Sequence, residues 1–119
     1  DEGIHGVLDW EMAHLGDPMD DLAWSCNEVW EWGRDGKKGG IVAQDEAIAI
    51  YEKASGSKVD RKALHWWDVF SGVKAQGIWL TGARSYADGR TQELIMVTTS
   101  YWLLNFQEEV ILRSLGRGA

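Results

Sequence analysis

Apolar positions alternate and then recur at helical spacing along this chain, and the change divides it into one short extended segment and four helices. Ile4-His5-Gly6-Val7-Leu8-Asp9 reads as a short strand, with Asp1-Glu2-Gly3 before it as a turn. Asp17 suits the N-cap of a first helix and Pro18 its first turn. Met19, Leu22, Ala23, Cys26 and Trp30 share one face of that helix, which is predicted to end near Trp32. Glycines and charges from Gly33 to Gly40 then predict an exposed, mobile loop. A second helix is predicted over 43–55, with Ala47, Ile48, Tyr51 and Ala54 inward and Gly56 as its stop. Asp60 caps a third, over 61–86, which is apolar on several sides and therefore expected to be central and the most buried. Gly72, Gly77 and Gly82 recur along it and permit close helix contact at the cost of helix propensity. After the Asp88-Gly89 turn, a fourth helix runs over 91–115 with Leu94, Val97, Tyr101, Leu104 and Ile111 as its stripe. The predicted class is mainly α, in one domain of 119 residues.

Charge narrows the partners. Nineteen acidic against 12 basic residues give a net charge of −7, which argues against a nucleic-acid backbone and is compatible with a cationic small molecule. Uncharged runs fall short of the ~20 apolar residues of a membrane span, and the opening residues do not resemble a signal peptide. Cys26 is the sole cysteine, so no internal disulfide forms and a cytoplasmic setting is expected. The chain opens on Asp1-Glu2-Gly3 with no initiator Met, as expected of a processed, trimmed or partial product. Eight Trp are unusual for this length, and two readings stand: a Trp-rich helical core or a Trp-lined ligand pocket. His5, His14 and His65 match no compact transition-metal spacing, and His5 on a strand face and His65 on a helix are read as structural. Lys37-Lys38 is read as a solvated charge pair, and Gly39-Gly40-Ile41 does not continue into a phosphate-binding loop.

The chemistry concentrates between Gly6 and Trp24. A carboxylate at the end of an apolar strand is held rigidly at a cleft, as a Mg²⁺ ligand between phosphates must be. Asp9 is such a carboxylate, and in extended chain Glu11 points to the same side. The run Val7-Leu8-Asp9-Trp10-Glu11, then Gly16-Asp17-Pro18, then Asp21-Leu22-Ala23 closely resembles the aminoglycoside phosphotransferase family, which shares the protein-kinase-like fold with choline kinases. Later stretches are similar to bacterial members: Tyr51 to Gly56, Trp66-Trp67-Asp68-Val69 and Gly82-Ala83-Arg84.

The resemblance implies that residues 1–119 form the C-terminal helical part of an α+β kinase-like fold. It implies that Asp9 binds Mg²⁺, that Glu11 supports the metal, and that Asp17 and Asp21 are structural aspartates. It places the catalytic base in a His-Gly-Asp loop some twenty residues before Asp9, where no residue of this chain fits, so no catalytic residue is expected here. The nucleotide-binding lobe is likewise expected upstream. ATP and Mg²⁺ are the cofactors implied for the intact enzyme, with none expected for this chain alone. The implied substrate is a small molecule carrying a hydroxyl. The alternative reading is a non-catalytic helical module that self-associates. In either reading a homo-oligomer is expected, because a strand at Ile4–Leu8 would be an unpaired edge.

Overall fold

A computed structural model describes residues 3–31, 33 and 36–116. It is mainly helical. The order is a 3-10 turn at Trp10–Met12, α1 at Pro18–Cys26, a 3-10 turn at Glu28–Trp30, β1 at Lys37–Lys38, β2 at Val42–Ala43, α2 at Gln44–Ser55, α3 at Arg61–Ala87 and α4 at Leu94–Ser114.

Local punctuation explains the helix starts. The Asp17 carboxylate accepts from the Met19 N–H at 2.9 Å, with Pro18 in the first turn. That of Asp60 accepts from the N–H groups of Lys62 and Ala63 at 2.9 and 3.1 Å. Each such cap contributes about 1 kcal/mol. Gly56 ends α2 in the left-handed conformation at φ 72°, its N–H returning to Glu52 O.

Three expectations need correction in this part of the chain. Residues 4–9 form no strand: Ile4 is 91% exposed and Leu8 87%, and the sole sheet among the described residues is β1–β2. A strand exists only where its N–H and C=O groups find a partner ladder, and without it the edge argument for self-association falls away. The helix after Asp17 stops at Cys26, not near Trp32. Asn27 turns extended there, and its side-chain oxygen accepts from the Val29 N–H at 3.1 Å, offering the backbone an alternative to the helix; Trp32 itself lies outside the described residues. The segment expected to be a mobile loop instead closes an antiparallel hairpin, Lys38 against Val42, over Gly39 and Gly40 at φ 58° and 72°. Glu31 anchors it, accepting from Lys38 Nζ at 2.7 Å and from the Gly36 N–H at 2.9 Å, so Lys38 is largely covered rather than solvated.

Packing centres on α3. The faces of α1 and α2 meet its start in a core of Met19, Leu22, Ala23, Cys26, Ile48 and Leu64. On another side α3 and α4 approach closely. A Cβ on Gly72 would come within 2.8 Å of Ile111, and one on Gly82 within 3.0 Å of Ser100 Oγ, whereas Gly77 faces open space. The close approach admits the polar Ser100 and Gln107 beside Leu103 and Val110 on the buried face of α4, while Leu94 and Tyr101 of the predicted stripe are exposed. The third side of α3 is uncovered. Trp66 is 58% exposed and Phe70 43%, with Val73 and Leu80 beside them, so α3 is central but not the enclosed helix its composition predicts. Trp66 and Phe70 stack, and both contact Trp67 edge-on. The radius of gyration, 15.8 Å, exceeds the ~13.5 Å of a compact chain of this length. No helix among the described residues is long and apolar enough to cross a membrane.

Candidate active-site segment

The chain reaches Asp9 exposed and outside any helix or strand, and turns sharply there. Asp9 is the one non-glycine among the described residues with positive φ, at 70° with ψ 53°. The turn that follows is closed by Ala13 N–H donating to Trp10 O at 3.0 Å and by Trp10 Nε1–H donating to Val7 O at 2.8 Å. Asp9 and Glu11 are thus neighbours across a 3-10 turn rather than along a strand. They are close enough that the Asp9 carboxyl, through a shared hydrogen bond and charge repulsion, pushes Glu11's carboxyl above its ordinary value.

A cleft of about 600 Å³ opens beside this turn. Asp9, Asp17, Asp20 and Asp21 all line it, together with Trp10, Trp24 and Trp30; Glu11 is not in the lining. Both readings of the tryptophans are thereby represented, since these three face the cleft while Trp79 packs edge-on to Trp30 between the helices. Asp17 uses one oxygen to cap α1 and the other to accept from Trp67 Nε1 at 3.2 Å, joining α1 to α3. Asp20 is buried, with its side chain 8% exposed, and accepts from Lys74 Nζ at 3.1 Å. Lys74 also lies over the Trp24 ring, 4.9 Å from its centroid. The second Asp20 oxygen lies 3.3 Å from His14 Nε2, and His14 Nδ1 lies 3.0 Å from Met12 O. Both ring nitrogens therefore face oxygen acceptors.

Among the described residues no three of His, Cys, Asp and Glu converge as a complete metal cage. A pair of carboxylates suits Mg²⁺ better than a transition metal, because Mg²⁺ keeps several waters and completes its shell with substrate phosphates.

The sequence model of the phosphotransferase enzyme family matches residues 1–67. The chain belongs to that family. Searches of curated proteins and of solved structures gave no significant match. The phosphotransferase match contains the whole Asp9–Asp21 segment and ends inside α3, so Lys74 and α4 lie beyond it. Sequence reasoning did not single out Lys74, Asp20 or His14 as site residues. One signal was available for Lys74: it is the lone Lys or Arg between Lys62 and Arg84 on an otherwise apolar helix.

Proposed function

We propose that this chain supplies the metal-holding and helical part of an ATP-dependent phosphotransferase that moves a phosphoryl group to the hydroxyl of a small molecule. The observation that carries this reading is the Asp9–Glu11 pair, with Asp9 lining the acidic, Trp-walled cleft, within the segment that matches the family. Asp9 would hold Mg²⁺ with Glu11 as its helper, while Asp17 and Asp21 serve α1 as cap and first-turn acid. The bound ion supplies neutralising charge for the phosphates. The four aspartates of the cleft outweigh Lys74 and favour a cationic acceptor. Phosphoryl transfer also requires a base for the acceptor hydroxyl and a cradle for the triphosphate, and no residues of this sequence take those roles. The chain alone is therefore expected to leave ATP unconsumed. In the intact phosphotransferase, Asp9→Asn should abolish transfer to the hydroxyl acceptor and leave the circular dichroism spectrum unchanged; a near-normal rate refutes the assignment.

The uncovered face of α3, with Trp66, Phe70, Val73 and Leu80, supports self-association as a second reading. Sedimentation at micromolar concentration should then show a dimer or larger species, and a clean monomer that persists at higher concentration argues against it.

A further inference from the structure

We propose that Lys74, Asp20 and His14 form a positioning relay that fixes the Asp9–Glu11 turn against α1 and α3; the inference rests on the metal-holding role proposed above for that turn. Asp9 adopts a left-handed backbone, which aspartate reaches at lower cost than most residues but which its neighbours must still hold. Its segment is exposed and lies in no sheet. The two hydrogen bonds that close the turn, Trp10 Nε1 to Val7 O and Ala13 N to Trp10 O, begin and end within the segment, so they shape it without fixing where it sits.

His14 makes the connection to the helices, spanning Met12 O at 3.0 Å and Asp20 at 3.3 Å. Gly16 leaves room for the ring: a Cβ there would meet His14 Nε2 at 3.0 Å. Asp20 is a firm anchor because its carboxylate is buried, and a buried carboxylate must be paired. Lys74 pairs it from 54 residues away and is itself held over Trp24. The relay therefore runs from α3, through α1 and an imidazole, to a carbonyl of the turn that carries Glu11.

The sign of one measurement separates this role from simple electrostatics. Lys74 is a cation lining the same cleft as Asp9, so by charge alone its removal tightens the binding of a divalent cation. As the root of the relay, its removal loosens binding because the turn loses its position. The test uses ¹⁵N NMR of the 119-residue chain with a Mn²⁺ titration. Lys74→Met should move the Trp10, Glu11 and Met12 amides towards random-coil positions and weaken Mn²⁺ at least threefold, while Lys74→Arg restores both. His14→Phe, at an exposed position that leaves the Lys74–Asp20 pair intact, should produce the same losses and decides the matter if Lys74→Met fails to fold. Unchanged turn amides in His14→Phe, or tighter Mn²⁺ in a folded Lys74→Met, overturn the relay. Asp9→Asn runs in parallel: if Mn²⁺ affinity is indifferent to it, the metal role fails, and the amide shifts alone then judge the relay.

Discussion

Single carboxylates in this chain behave according to what surrounds them, and Asp68 shows it most simply. Burial pushes its carboxyl above the ordinary value, and the hydrogen bond from Ser114 Oγ at 3.0 Å offsets only part of that. A raised folded value means the native state binds the proton more tightly than the unfolded chain does. The penalty is therefore present in full above the folded value and disappears as pH falls below the unfolded one. Asp68→Asn, which keeps an acceptor for Ser114, should raise the melting temperature at pH 7, with the gain shrinking towards pH 4 in a series of thermal melts. A gain that stays constant across that range would contradict the burial account. Asp17, Asp60 and Gly56 were legible in the sequence because caps obey local rules. Asp20 and Lys74 were not, since their pairing spans 54 residues and depends on how α1 meets α3. Nor was the left-handed conformation of Asp9, which aspartate tolerates better than most residues but which the apolar run before it gives no reason to expect.

Helices fared differently at their ends and on their faces. The start and stop of α2 and α3 fall within a residue of the sequence reading, because Asp60 and Gly56 mark them. The end of α1 does not, because Asn27 captures a backbone N–H and diverts the chain. The face of α4 was misread in part for a geometric reason: at the glycines of α3 the close seam takes Ser100 and Gln107 beside Ile111, while Leu94 and Tyr101 of the stripe turn outward. The three glycines then separate cleanly in prediction. Gly77→Ala should stabilise the chain by about 0.5–1 kcal/mol, since an alanine meets nothing there and favours helix. Gly72→Ala should destabilise it by about 1–3 kcal/mol, the usual range for overpacking, because its methyl collides with Ile111 and Gln107. Chemical denaturation of both variants checks the pair, and equal signs would sink the account of the seam. In the core, Leu64→Ala should cost roughly 2–5 kcal/mol by the same measurement.

At the scale of the whole molecule, α1 and α3 and the turn at Asp9 together line one acidic cleft. The order of the motif from Asp9 to Asp21 was readable from sequence, and the segment lies within the family match. Its geometry was not readable, because whether Asp9 and Glu11 lie along a strand or across a turn depends on backbone partners far from them. The exposed apolar side of α3 was equally hidden, since an all-round apolar helix reads as enclosed whichever neighbours it has. The central claim is that the Asp9–Glu11 turn is where a divalent cation binds. Paramagnetic broadening by substoichiometric Mn²⁺, mapped over the assigned amides of the chain and of its Asp9→Asn variant, tests it directly. The account predicts broadening centred on residues 9–12 and spreading to the first turn of α1, and its loss in Asp9→Asn. Broadening centred elsewhere, or unchanged in that variant, would contradict it.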